Sequence, residues 1–499
     1  MKVVERSAER ARASGAELRR EEASGEKSVS IQSESSNPPW YPTPSLGDER
    51  LRYGLRPDVV KRRNDAARRA HEGPHPQALA DAPSYLQTYE QVRDALFALQ
   101  EKYPDLVSVD DVGDSSEKVR GEADRDLWRI RLTNQRGPLA ESEKAKVLWT
   151  GGMHGREIAN PALLMTWIEQ VLDAYGSDPE ARALLDTRVI DVIPLVNPDG
   201  HTQVTESYEG RRRGNRFQRK NTAPPNGTDI NRNFSFEWGG PGASRNPRSE
   251  TYRGPSAASE PETQAIEALY DDTDYDIVVD WHSHSELVLF PWGHTREKAP
   301  DHDGLKAIAE RFASFNGYTP QQSVGLYPTS GTSDGPSYGE RRIPTFVMET
   351  GRSFHPSDQE FSRVQTENHP VLTYSAQIAD DPYERAKGPL LDQVVVADGE
   401  LRVSAYSPET SGTLLQLRSR PRLQRVEMTL DPRTPPGEGI ALMPEDGRMD
   451  SHHEVMVAPV AELQEQAPPE TLVYVRGQNA AGHWGPLRAQ WLNPPAVTD

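Results

Sequence analysis

The spacing of apolar positions changes several times along the chain, and each change marks an element. In "TYEQVRDALFALQEKYP", Val92, Leu96, Leu99 and Tyr103 recur at helical spacing and the pattern stops at Pro104. Apolar runs of strand length then alternate with helical stretches. "DLWRIRLT", "KVLWTGG", "RVIDVIPLVN", "DIVVDWH" and "IPTFVMET" read as strands, and "PALLMTWIEQVLDAYG" and "EPETQAIEALYDD" as helices. The first helix is predicted to have Asn160 as N-cap, Pro161 at the first helical position, a stripe at Leu164, Trp167, Ile168 and Val171, and Gly176 as its stop. The second opens on Ser259-Glu260-Pro261-Glu262, the letters of a capping box. Strands alternating with helices predict a parallel or mixed sheet covered on both faces, whose sites lie beyond the carboxyl ends of its strands.

The flanks have a different texture. Residues 1–83 are charged and then rich in Pro and Ser, with one short helical pattern near Pro57 to His71, and are read as an N-terminal extension. After about residue 386, "LLDQVVVADGELRVSAYS", "RLQRVEMTLD" and "TLVYVRGQNAAGHWGPLRAQWL" alternate over short runs broken by Gly, Pro and Asp. That spacing predicts a small β-sandwich, similar at its closing hairpin to fibronectin-like modules. The expected organisation is therefore an extension (1–83), an α/β domain (84–385) and a C-terminal β-domain (386–499). No internal repeat is visible.

Composition narrows the chemistry. With 76 Asp plus Glu against 57 Lys plus Arg, the net charge of -19 argues against nucleic acid or an anionic membrane as the main partner. The run Arg211 to Arg213 accordingly reads as a solvated loop. With no cysteine, disulfides, thiolate metal sites and cysteine nucleophiles are all excluded, so any transition metal must be held by His, Asp and Glu. No apolar run is long enough to span a bilayer, and the first 30 residues lack the hydrophobic core of a signal peptide. The expectation is a cytoplasmic location, unless a leader lies outside this sequence.

Two short patterns match catalytic signatures by letter only. "GTSDG" (Gly331 to Gly335) resembles a serine nucleophile elbow, but Pro328 and Pro336 leave no strand before it and no helix after it. "HHEVMV" has Val457 where a zincin helix needs its second histidine. "HGRE" is better placed, because His154 and Glu157 follow a buried strand directly and a third candidate, His282, ends another. Two imidazoles and a carboxylate on one rim of a sheet supply three protein ligands and leave a fourth position for water, the pattern of a catalytic zinc. Glu349 ends a third strand near the same rim, where a carboxylate that is not a ligand suits a general base. His201, His294, His302 and His355 are then not needed as ligands.

The ordered motifs "HGRE", "VNPDG", "RKN", "DINRNF", "SEPET", "WHSHSELVLFPWG", "LYPTSGTSD" and "FVMETG" resemble the zinc metallocarboxypeptidases of the carboxypeptidase A and B type, from about Tyr85 to about Asp380. The resemblance implies a three-layer α/β/α fold around a mixed eight-stranded sheet, one Zn2+ per chain, and peptide or protein C-termini as substrates. It implies that His154, Glu157 and His282 bind the metal and that Glu349 is the general base. Arg219 would stabilise the oxyanion, Arg156 would line the cleft, and Asn231, Arg232 and Tyr327 would hold the terminal carboxylate. Counting from Tyr327, the position that sets preference for the C-terminal residue is Asp334. An acid there implies a preference for Lys or Arg if it floors the pocket, and nothing if it is a solvated turn residue. Gly335 and Pro336 depart from the family's Asp-Trp pair, and His284 stands where many members have tyrosine. Peptidoglycan stem peptides and polyglutamate tails are rival substrates, and a non-catalytic peptide-binding role is the rival of another class.

Overall fold

The computed structural model describes residues 82–211, 214–407 and 421–495. The predicted extension up to residue 81, with its helix near Pro57, and two of the three arginines of the 211–213 run lie outside them. The described residues form two compact units, 82–172 with 185–382, and 173–184 with 383–407 and 421–495.

The larger unit is built on one eight-stranded mixed sheet. Its strands are β1 (Val107–Asp114), β2 (Asp126–Leu132), β3 (Ala145–Thr150), β4 (Arg188–Ile193), β5 (Ile277–His282), β6 (Leu287–Phe290), β7 (Thr319–Gln322) and β8 (Thr345–Glu349), in the order β1-β2-β4-β3-β5-β8-β6-β7. The central strands β4, β3, β5 and β8 run parallel, and every residue of β4 and β5 is buried. Burial on both faces explains why these segments read as mainly apolar runs rather than alternating ones.

Successive residues of β3 serve opposite faces. Trp149 meets Trp167 of helix α2 (Ala159–Ala174) edge to face at 4.7 Å, and its indole donates to Ser375 of the long helix Asp358–Gln377. Leu148 packs on the other side with Ile266, Leu269 and Tyr270 of the helix Pro261–Asp272. The three layers follow directly. The first helix, α1 (Tyr89–Lys102), starts with a capping box between Thr88 and Gln91 and buries Tyr89, Val92, Leu96 and Leu99.

Two local expectations are corrected. Helix α2 begins at Ala159, so Asn160 lies inside it, and its Oδ1 accepts a hydrogen bond from Thr350. The letters Ser259 to Glu262 do not form a capping box: Glu260 is the N-cap without a side-chain bond, and Ser259 donates to the Glu260 carboxylate. Glu262 turns inward instead and accepts from Ser116 N at 2.8 Å and Asn221 Nδ2 at 3.1 Å.

The second unit has two four-stranded antiparallel sheets. One pairs Leu390–Ala397, Glu400–Tyr406, Met443–Pro444 and His453–Pro459, and the other Leu423–Thr429, Ile440–Ala441, Thr471–Asn479 and Arg488–Asn493. Val394, Leu401, Val403, Val426, Met428, Val473 and Val475 make one apolar core from both. "HHEV" lies at the start of one of these strands rather than in a helix. Among the described residues, no helix is long and apolar enough to cross a membrane.

Candidate metal centre and peptide cleft

Strands β3, β5 and β8 run in parallel, so their carboxyl ends fall on one rim. His282 is in register with Glu349 across β5 and β8, while β3 leads through Gly151 and Gly152 into His154. The turn after it needs a glycine at 155. A Cβ there would stand 2.4 Å from the backbone carbon of Gly200, closer than any real contact, and Gly155 N donates to Arg219 O at 3.2 Å. The metal-site turn is thus pinned directly to the arginine segment. Asn197 reinforces this, donating to Met153 O at 3.2 Å and Arg219 O at 3.3 Å while it caps the helix Pro198–Tyr208.

His154 Nδ1 lies 2.6 Å from Glu157 Oε1 and 3.2 Å from His282 Nδ1, and His282 Nδ1 lies 3.1 Å from Glu157 Oε2. Ligands at about 2.0–2.1 Å in a tetrahedron around zinc stand roughly 3.3 Å apart, so the three side chains converge at a suitable separation. Two imidazole nitrogens facing each other at 3.2 Å, both directed at one carboxylate, form a donor set that suits a cation. All three residues are buried. The other acidic grouping among the described residues, Asp111, Asp114 and Asp126, is already occupied by Lys118 Nζ, which is 3.1 Å from Asp114.

Behind the histidine stands a carboxylate that sequence reasoning missed. Asp229 Oδ1 lies 3.2 Å from His154 Nε2, and Oδ2 accepts from Arg219 Nε at 3.1 Å and Nη2 at 2.9 Å. A proton held on Nε2 leaves the Nδ1 lone pair for a metal. Burial would raise the Asp229 carboxyl, but the Arg219 charge outweighs it and holds it well below the usual range. Burial, then the neighbouring Arg219, depresses His154.

The remaining predicted residues surround this group. Glu349 Oε2 is buried with no hydrogen-bond partner, and burial together with the nearby Glu157 charge pushes its pKa up to about 8. Asn231 and Arg232 lie in a short 3-10 turn capped by Asp229, with Asn231 Nδ2 3.5 Å from His282 Nε2. Arg232 Nε donates to Gly242 O at 3.1 Å. Tyr327 packs with the cluster of Leu287, Leu289 and Leu326, and burial raises its hydroxyl pKa. Arg156 is fully buried, lies 4.3 Å from the Phe354 ring centroid and pairs with Glu250 at 3.5 Å. Burial and the Arg219 charge lower its pKa to about 10.

Asp334 is not a solvated turn residue. It is 7% exposed, accepts from the Thr332 hydroxyl, and lines a depression with Phe236, Glu237, Trp292 and His294. Burial raises its carboxyl. None of His154, Glu157, His282 or Glu349 lines that depression. Of the histidines set aside as ligands, His201 bonds Gln87 O and His355 bonds the Tyr208 hydroxyl.

Known proteins agree with this architecture. A family model described as "Zinc carboxypeptidase" matches residues 92–370. A "Zinc carboxypeptidase" of Saccharothrix mutabilis subsp. capreolus is 32% identical over 303 residues, covering 56% of this chain and 66% of that protein. Human mast cell carboxypeptidase A is 29% identical over 264 residues, covering 50% and 59%. The chain therefore spans less than two thirds of the length of these relatives. Among solved structures, thrombin-activatable fibrinolysis inhibitor superposes with TM-score 0.53 at 24% identity, covering 64% of this chain and 80% of the other. Carboxypeptidase A from Helicoverpa armigera gives 0.50 at 22% identity, covering 65% and 82%. These two share the fold. With more than half of its length matched by the family model, the chain belongs to the zinc carboxypeptidase family.

Proposed function

We propose that the chain is a zinc-dependent metallocarboxypeptidase that hydrolyses the last peptide bond of peptides or proteins and prefers C-terminal Lys or Arg. The observation that carries this reading is the convergence of His154 Nδ1, Glu157 and His282 Nδ1 within 2.6–3.2 Å of one another, beside a buried Glu349 that is in register with His282. His154, Glu157 and His282 would hold the zinc. Zinc bound there supplies a Lewis acid and lowers the pKa of a water.

The chain's own groups do the rest. Asn231 and the Arg232 fork bind the substrate's free carboxylate, a pairing that favours guanidinium, and Tyr327 closes over it. Arg219, its orientation fixed by Asp229, offers Nη1 to the oxygen on which charge develops in a buried site, where a preset cation is effective. Glu349 takes the proton from the attacking water at its unpartnered Oε2 and passes it to the leaving amine. A dication held by His154, Glu157 and His282 would draw its raised pKa down toward the range in which it can accept that proton. Arg156 lines the upstream side of the cleft.

The Asp334 carboxyl supports the basic preference, since a buried acid walled by Phe236 and Trp292 favours a cation. A scan of peptides ending in Arg, Lys, Phe, Glu and Ala, with and without a chelator, tests both levels. Chelator-sensitive release, fastest for Arg or Lys, is the expected outcome. Faster release of Phe sinks the preference, and release insensitive to chelator sinks the metal reading.

A further inference from the structure

The serine of the discarded "GTSDG" pattern has a different use. Ser333 is buried at the turn between Tyr327 and β8, and its backbone N–H donates to Asn231 Oδ1 at 3.0 Å. Its hydroxyl donates to Asp280 Oδ2, and the other oxygen of Asp280 accepts from the Thr150 hydroxyl at 2.6 Å. Thr150 and Asp280 pair in register on β3 and β5, the two strands that lead to His154 and His282. Asp280 is 1% exposed, and these two hydroxyls hold its carboxyl in place at the centre of the sheet. One continuous chain of hydrogen bonds therefore joins the rigid sheet to the Asn231 carboxamide.

The consequence is directional. A carboxamide has a donating and an accepting end of nearly equal shape, and only the donating end can bind a carboxylate. With Oδ1 engaged by Ser333 N–H, Nδ2 is directed to the side of His282. We infer that Ser333, anchored by Asp280, is a positioning residue that sets the orientation of Asn231 toward the substrate's terminal carboxylate. This rests on the proposed role of Asn231 in docking that carboxylate.

Ser333→Ala and Asp280→Asn are made in the full chain beside Asn231→Ala. Two inhibition constants are compared: that of the free amino acid released from the best substrate, which carries a carboxylate, and that of acetohydroxamate, which addresses the metal alone. In both Ser333→Ala and Asp280→Asn the amino acid's constant and the KM rise roughly three- to tenfold, the loss of one buried hydrogen bond, while the acetohydroxamate constant stays within about twofold. Asp280→Asn keeps the shape of the side chain and covers the case in which Ser333→Ala does not fold. If both constants rise together, or neither moves, the inference is overturned. If Asn231→Ala also leaves the amino acid's constant unchanged, the docking role of Asn231 itself fails. If Asn231→Ala raises it while the other two do not, only the positioning by Ser333 fails.

Discussion

Glu262→Gln isolates a buried acid that lies outside the chemistry but under the loop between Arg219 and Asp229. The Glu262 carboxyl is fully buried and receives Ser116 N–H, Asn221 Nδ2 and its own backbone N–H, with the Glu260 carboxylate bonded to the same Asn221 nitrogen. Burial pushes its pKa up to about 8 from an ordinary 4.5. The folded chain therefore keeps this proton up to about pH 8, whereas the unfolded chain releases it near 4.5. Between these values the native state binds more protons, so this group's contribution is full below pH 4.5 and is lost as pH rises toward 8. From pH 5 to pH 8 the loss comes to about 3–4 kcal/mol at 1.36 kcal/mol per pKa unit. In a unit of this size that corresponds to roughly 5–10 °C in Tm. Glutamine does not titrate, so the stability gap between the two proteins should shift by that amount, in favour of the variant, as pH rises. Calorimetric scans of both proteins at pH 5, 6, 7 and 8, following the transition of the larger unit, measure it. Tm curves that run parallel would refute the assignment of a retained proton to Glu262.

Three further outcomes follow from named contacts. Glu349→Gln should lower kcat by at least about 10³-fold with zinc stoichiometry unchanged in atomic absorption; loss of metal would make Glu349 a ligand rather than a base. Asp229→Asn should weaken zinc binding by about 10–100-fold in chelator competition, because His154 Nε2 and Arg219 lose a shared charged partner; unchanged affinity would leave Asp229 with only a structural role. In the second unit, Glu427→Ala removes the carboxylate that pairs with the buried Arg476 at 2.8 Å, which should cost that unit about 3–5 kcal/mol in denaturant unfolding; an unchanged midpoint would refute a stabilising role for the pair.

Much of the larger unit can be read from one kind of signal. β3, β4, β5 and β8 are largely buried, so they appear in the sequence as mainly apolar runs, and a polar residue closing such a run, as His282 and Glu349 do, is conspicuous. What escaped reading was the choice of hydrogen-bond partner. Ser259 to Glu262 has the letters of a capping box, yet Glu262 is drawn 146 positions away to Ser116 N, because packing against β1 puts that side chain inside. Periodicity reports which side of an element is buried, not which distant donor a carboxylate will meet.

Asp229 shows why such residues stay hidden. One of its oxygens caps the turn at Asn231 N at 3.1 Å, and an Asp before a turn is fully accounted for by that local bond. The same Oδ1 also meets His154 Nε2, 75 positions earlier, and Oδ2 receives Arg219. Its local role is sufficient to explain its presence in the sequence, and so conceals the long-range one. Asn197 behaves alike, capping a helix with its oxygen while its nitrogen binds Met153 and Arg219 carbonyls. Small polar side chains with two ends can satisfy a turn with one and a site with the other. Here they carry the connections between the His154 turn, the Arg219 segment and the Asn231 turn, while His282 and Glu349, which close strands, are the residues a sequence displays.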